Sequence, residues 1–214
     1  MVDFLLEAIR TLTTPEKLIH LLGTIFSGWL GYLLLFGVVF AETGLLVGFF
    51  LPGDSLLFTV GVVAGAGTLD IVAINIVLMV AAITGDTVGY MIGRKTGPRI
   101  FSRPDSRLFR REHLERTRAF YEKHGGKTII YARFIPIIRT FAPFVAGVGE
   151  MNYARFLSFN VFGGIGWVAS LTMLGYTMGS WPIVREHFEK VILLIVFVSV
   201  LPVLAEMWKA YRRP

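Results

Sequence analysis

The fold is decided by residues 128–149, which read TIIYARFIPIIRTFAPFVAGVG. This stretch is apolar, yet it contains two arginines, Arg133 and Arg139, and two prolines, Pro136 and Pro143. A helix that faces lipid rarely carries such residues, because a charge in hydrocarbon is costly and proline removes a backbone donor. Interrupted helices at membrane depth occur only inside protein or beside a watery cavity. We therefore predict a re-entrant hairpin with bends at the prolines, whose two arms enter and leave the membrane on the same side.

The surrounding sequence is that of an all-α polytopic membrane protein. Of its 214 residues, 54% are hydrophobic and only 17% are charged, whereas about a quarter of a soluble domain is charged. Three segments, at about 23–49, 70–93 and 154–180, contain the roughly 20 mostly apolar residues that cross a bilayer, and 188–208 is an adequate fourth. The chain has no cysteine, which excludes disulfides and thiolate metal sites.

The basic charge is concentrated in residues 94–127, which hold eleven Lys or Arg and four acidic residues. The positive-inside rule accounts for such a loop, so we place it in the cytoplasm and expect no nucleic-acid partner. The same rule, with the alternation of the spans, places the N-terminus and the C-terminus in the cytoplasm. Residues 1–20 have apolar positions at helical spacing between charges, which predicts an amphipathic helix on the membrane surface.

A second apolar stretch, residues 51–67, begins with the bend residues Pro52 and Gly53, followed by Asp54. It is too short to cross the bilayer and return as two full helices. Because the spans before and after it run in opposite directions, it must enter and leave on the outer side. We predict a second re-entrant hairpin here.

The two halves of the chain repeat one motif, AG-x-G followed by GY-x-x-G, first at 64–67 and 89–93 and again at 146–149 and 175–179. Inverted repeats with discontinuous helices are typical of alternating-access carriers. The predicted organisation is an interfacial N-terminus at 1–20, a first repeat at 21–93, a basic loop at 94–127, a second repeat at 128–180, and a final span with a cytoplasmic tail at 181–214.

Four charged residues in the predicted hairpins and spans are candidates for function: Glu42, Asp54, Arg133 and Arg139. Arginine presents a fork of donors that fits phosphate oxygens, so the arginine pair suits an anionic lipid head group. The acidic pair, placed in a dry setting, would bind and release protons. In the structural alternative, the acids only hold the arginines, and Asp54 caps the half-helix that follows it. Asp86, within the second span, is an additional candidate.

Glycines recur every fourth residue, for example at Gly85, Gly89 and Gly93, and such spacing lets helices approach closely in lipid. These faces serve either within one chain or between the subunits of a homo-oligomer, which the sequence leaves open. The four histidines are scattered and lack metal-ligand spacing, so we expect no enzyme activity, no metal and no cofactor.

At these charged residues the chain resembles the DedA family of bacterial membrane proteins, whose VTT domain (SNARE-associated Golgi protein-like) is shared with eukaryotic lipid scramblases. The similar stretches are FAETGL at 40–45, FLPGDSL at 50–56 and YARFIPIIRT at 131–140. The resemblance implies two facing re-entrant hairpins and lipid movement across the bacterial cytoplasmic (inner) membrane. It implies that the lipid is undecaprenyl phosphate or a phospholipid and that the movement of this lipid depends on the proton gradient. It also assigns Glu42, Asp54, Arg133 and Arg139 to the essential charged positions of the family.

The sequence thus predicts a proton-linked lipid translocase, or flippase, with membrane lipids and protons as its partners. The arginines would bind the phosphate and the acids would take up protons. The main alternative is a proton-dependent antiporter of a small cation or drug, in which the acids matter more than the arginines. A lipid phosphatase and a purely structural membrane protein are further alternatives. A lipid phosphatase would need an assembled catalytic site. A purely structural role predicts that Arg139→Lys has only a mild effect on the protein.

Overall fold

The computed structural model describes residues 23–26, 28–45, 53–101, 127–187 and 190, and over these ranges the chain is helical without any strand. The helices are α1 (Gly28–Gly44), α2 (Gly53–Gly65), α3 (Ile71–Phe101), α4 (Lys127–Ala132), α5 (Pro136–Val148), α6 (Tyr153–Gly179) and α7 (Pro182–Glu186). The predicted all-α class is confirmed for this part of the chain. The predictions for residues 1–20, for most of the basic loop, for Pro52, and for the final span and tail lie outside the described residues.

Among the described residues, two helices are long and apolar enough to cross a membrane, and both were predicted as spans. These segments are Ile71–Gly97 and Tyr153–Gly179, of 27 residues each, or about 40 Å of helix. Helix α3 begins where Asp70 Oδ1 accepts the backbone N–H groups two and three residues ahead, at 2.8 and 3.2 Å. It ends at Phe101, eight residues beyond the predicted end of the span. The hydropathy of the sequence predicts only the apolar part of this helix. The helix continues beyond that part because the basic residues that follow are good helix formers.

The first predicted span, residues 23–49, is not one continuous helix. Helix α1 has 17 residues, or about 25 Å. Residues 23–26 are also helical, but Gly28 has a φ of +73°. This left-handed conformation is open to glycine and interrupts a regular helix at Gly28.

The predicted break at Pro136 is confirmed by a helix–turn–helix. Helix α4 ends at Ala132, residues 133–135 form a turn, and α5 begins with Pro136 at its first position, after Ile135 in an extended conformation. Proline suits a first helical position because the missing N–H would have no partner there. Helices α4 and α5 contact each other, and α5, with 13 residues, is shorter than a span.

Pro143 was expected at a second bend, but α5 continues through it to Val148. Its ring packs on α3 at Gly89, where an added Cβ would lie 3.6 Å from the Pro143 Cβ. Glycine leaves room for the ring beside the helix. A single missing backbone hydrogen bond at Pro143 therefore does not end α5.

The chain divides into two compact units. The first comprises residues 1–36, 52–77 and 168–214, and the second comprises residues 37–51 and 78–167. Helices α1, α3 and α6 each contribute to both units, α2 and α7 belong to the first, and α4 and α5 belong to the second.

In the first unit, α2 packs on the C-terminal half of α6 at glycines. A Cβ added to Gly65 would overlap the backbone carbonyl of Tyr176, and one added to Gly179 would overlap that of Val62. Beside this contact, Phe58, Val62 and Val63 form an apolar core with Val184 of α7.

In the second unit, α5 packs on α3 through the same kind of contact. A Cβ added to Gly147 would overlap the carbonyl of Tyr90, and one added to Gly93 would overlap that of Phe144. Gly65 and Gly147 hold the same place in the repeated AG-x-G motif, and Tyr176 and Tyr90 hold the same place in GY-x-x-G. The sequence repeat is therefore matched by a repeat of contacts, in which the AG-x-G helix of each half packs on the GY-x-x-G helix of the other half.

Candidate functional site

The core of the second unit contains two arginine–carboxylate pairs. Arg133 Nη2 bonds to Asp86 Oδ2, and Arg139 Nη2 bonds to Glu42 Oε1. All four residues are buried, with exposed fractions of 0% for Glu42, 2% for Asp86, 3% for Arg133 and 7% for Arg139. The unit therefore encloses two positive and two negative charges among apolar helices.

Arg133 lies in the turn between α4 and α5, where its N–H donates to the Ile130 carbonyl at 3.2 Å. Its Nη2 also donates to Asn160 Oδ1 of α6. The Asn160 amide nitrogen donates to the Ile83 carbonyl of α3 at 3.0 Å, which turns its oxygen toward the guanidinium. Gly163 of α6 makes room for the arginine, because a Cβ there would lie 3.1 Å from Arg133 Cδ.

Arg139, on α5, lies over the indole ring of Trp167 from α6, with its guanidinium carbon 4.8 Å from the ring centroid. This cation–π contact holds the plane of the guanidinium. Its partner Glu42 is carried on α1. This helix approaches α3 so closely that a Cβ added to Gly44 would lie 2.7 Å from the Gly85 carbonyl oxygen. Small residues at this crossing bring Glu42 into the core.

The two pairs act on each other electrostatically. Arg139 interacts with Asp86, and Glu42 interacts with Arg133, in addition to their direct partners. Buried ion pairs contribute little net stability, because removing both charges from water offsets most of their attraction. Buried charged residues in a membrane protein are therefore candidates for a functional role.

An aromatic cluster fixes α3 beside this site. The Tyr90 hydroxyl donates to the Met151 carbonyl in the connection between α5 and α6. Its ring stacks on Phe156, with centroids 4.5 Å apart. Helix α3, which carries Asp86, is thereby held to α6 by a stacked ring pair and to the connection that follows α5 by a hydrogen bond.

Three of the four principal residues predicted from the sequence, Glu42, Arg133 and Arg139, belong to this cluster. Asp54 is half-buried in the first turn of α2 and belongs to the other compact unit. Asp86, the additional candidate, bonds directly to Arg133 and is as central as Glu42.

Sequence reasoning missed two contributors to the site, Asn160 and Trp167. They lie seven residues apart on α6, so they share one face of that helix. A lone asparagine in an uncharged span of 29 residues, 156–184, was the available signal. Within the part of the chain that the structure describes, no group of three His, Cys, Asp or Glu side chains is placed to hold a metal ion.

Two long helices that are apolar enough to cross a membrane and a buried charge cluster are the features of a membrane protein. A family model described as the VTT domain matches residues 51–177. The chain is 51% identical to Protein DedA of Escherichia coli over 183 residues, which cover 85% of this chain and 84% of that protein. It is 47% identical to an uncharacterised membrane protein of Mycobacterium leprae, over 82% of this chain and 78% of the relative.

The inner membrane protein YqjA of Escherichia coli is 37% identical, over 79% of this chain and 77% of its own length. No solved structure matches the chain. The protein belongs to the DedA family of membrane proteins, as its motifs indicated.

Proposed function

We propose that this protein is a translocase that moves a phosphorylated lipid across the cytoplasmic membrane, with undecaprenyl phosphate as the first candidate and a phospholipid as the second. The observation that carries the proposal is the presence of two buried arginines in one compact unit, each already bonded to an oxyanion, the carboxylate of Glu42 or Asp86. A guanidinium that binds a carboxylate through Nη2 presents the same donor to a phosphate oxygen. Two of them suit the roughly −1.5 to −2 charge of a phosphate monoester.

A proton gradient is the proposed energy source. The sequence contains no P-loop pattern for a nucleotide. Glu42 is proposed to release Arg139 when it takes up a proton, because a neutral carboxyl group no longer attracts the guanidinium. Asp54 is proposed to take up a proton as the second acid of the sequence motifs.

We further propose that α4 with α5, and the region of α2, are re-entrant hairpins of an inverted repeat. The support is the shortness of α5, which has 13 residues, together with the repeated glycine contacts. Alternation between the hairpins would expose the arginine site to one side of the membrane at a time. Both termini would then lie in the cytoplasm.

The test is reconstitution of the full chain in liposomes with fluorescently labelled undecaprenyl phosphate, followed by quenching from outside. We expect faster loss of the protected fraction than in empty liposomes, and loss of this activity in Arg133→Gln and Arg139→Gln. Arg155→Gln is the matched control, since Arg155 is an exposed residue of α6. Parallel liposomes with labelled phosphatidylglycerol or undecaprenol distinguish phospholipid transport and non-specific leakage. Equal rates with and without protein for both phosphorylated lipids would refute the proposal.

A proton-dependent antiporter of a small cation or drug is the alternative function, and the burial of Glu42 and Asp86 is the observation that favours it. Both carboxylates, however, are bonded to arginine, which lowers their attraction for a second cation. Retention of proton-driven cation uptake by Arg133→Ala and Arg139→Ala in the same liposomes would favour the antiporter.

A further inference from the structure

Asp86 is a buried acid on a membrane-spanning helix for which the transport scheme above has no role. It is 2% exposed, and its Oδ2 bonds to Arg133 Nη2. The same nitrogen bonds to Asn160 Oδ1. Acceptors from α3 and α6 thus share Nη2, one of the three guanidinium nitrogens that can donate to a phosphate oxygen.

A phosphate that binds Nη2 of both arginines therefore displaces the resident carboxylates. The cluster of Glu42, Asp86, Arg133 and Arg139 is neutral when its members are ionised. A phosphate monoester adds roughly −1.5 to −2 charge, and an excess of that size inside apolar protein is costly. Protonation of the displaced carboxylates restores neutrality, with one proton on each.

We propose that Asp86 is the internal counter-ion of Arg133, which is displaced when a phosphorylated lipid binds and takes up a proton at that step. This inference rests on the proposed function and deepens it. The proton passes from solvent to a carboxylate oxygen of Asp86, Arg133 keeps its charge, and the phosphate oxygen replaces Asp86 Oδ2 as the acceptor for Nη2. Charge and protons balance without any other reactant.

Asn160 is the positioning residue for this exchange. Its amide nitrogen is fixed on the Ile83 carbonyl, so its oxygen stays at Arg133 Nη2, next to the carboxylate that shares this donor. When Asp86 is protonated, its new O–H requires an acceptor, and the Asn160 oxygen is an adjacent one. The charged groups that act on Asp86 are Arg133 and Arg139.

The experiment measures protons taken up when undecaprenyl phosphate binds to the full-length protein in nanodiscs, with a pH-indicator dye in weak buffer. For the wild type we expect about two protons per lipid, because the phosphate brings about two negative charges. The Asp86→Asn variant lacks one carboxylate that competes with the phosphate and can take up a proton. We therefore expect it to take up about one proton fewer than the wild type. It should also bind the lipid about ten- to a hundredfold more tightly at alkaline pH, which corresponds to one charge-assisted hydrogen bond.

Asp70→Asn is the matched control, because it makes the same change at the exposed start of α3 and asparagine keeps the helix cap. It should behave as the wild type. Difference infrared spectroscopy of the wild type provides a measurement that does not depend on the folding of a variant. A carbonyl band of a protonated carboxyl group should appear on lipid binding, and Asp86→Glu should shift it.

The outcomes separate the two proposals. Wild-type binding without proton uptake, or equal uptake by Asp86→Asn and the wild type, would overturn the role of Asp86 and leave lipid transport standing. Failure of the wild type to bind undecaprenyl phosphate or phosphatidylglycerol would overturn the proposed function and this inference with it. Proton uptake with the neutral control lipid undecaprenol would likewise contradict displacement by phosphate.

Discussion

The Glu42–Arg139 pair allows structural and functional roles to be separated by a double-mutant cycle of Glu42→Gln, Arg139→Gln and the combined variant. Removing one partner of a buried ion pair costs about 3–5 kcal/mol. In a chain of this size, 1 kcal/mol shifts Tm by about 2–4 °C, so each single variant should lose about 6–20 °C. Arg139→Gln should be the less stable one, because it also loses the contact of Arg139 with Trp167 at 4.8 Å.

The combined variant replaces both charges with neutral amides that hydrogen-bond to each other. It should be more stable than the sum of the single losses by about 1–3 kcal/mol, the coupling typical of residues in direct contact. The assay is thermal unfolding in detergent, followed by tryptophan fluorescence, with exposed Arg155→Gln as a control that should leave Tm unchanged. Additive losses would refute the pairing.

Transport by the same variants then decides what the pair is for. If Glu42 and Arg139 only hold the helices together, the combined variant should regain lipid transport as it regains stability. We expect it to be folded and inactive, because a glutamine cannot replace the guanidinium as a ligand for phosphate.

Three further predictions concern packing and can be measured by the same unfolding assay. Gly147→Ala should be destabilising by about 1–3 kcal/mol, because its methyl group overlaps the Tyr90 carbonyl. Gly166→Ala, which meets nothing within 4 Å, should be stabilising by up to about 1 kcal/mol, and equal effects of the two would contradict the close contact. Glu150 has a φ of 54°, so Glu150→Gly should be more stable than Glu150→Ala by about 1 kcal/mol, and the reverse order would argue against a left-handed residue there. Tyr90→Phe should cost about 1–3 kcal/mol, since the Met151 carbonyl loses its buried donor, and an unchanged Tm would refute that bond.

The sequence was sufficient to predict two long helices and the break in the second half, because both depend on local signals. Long apolar stretches with few charges predicted the helices that the structure places at Ile71–Phe101 and Tyr153–Gly179. The position of Pro136 predicted the turn between α4 and α5. The left-handed conformation of Gly28 could not be predicted, because a glycine within an apolar segment does not change its hydropathy pattern.

The partners of the arginines could not be predicted from the sequence alone. Opposite charges within the membrane indicated pairing, but Asp86 and Arg133 are 47 residues apart and Glu42 and Arg139 are 97 apart. Which acid meets which arginine depends on the packing of helices distant in sequence. The repeated motif likewise predicted similar halves, but not that the AG-x-G helix of each half packs on the GY-x-x-G helix of the other.

A structure of the protein solved with bound undecaprenyl phosphate tests the assignment of the arginines most directly. We predict that the phosphate lies within hydrogen-bonding distance of Arg133 and Arg139, with the carboxylates of Glu42 and Asp86 displaced from Nη2. A phosphate bound elsewhere, with both arginine–carboxylate pairs intact, would contradict the account.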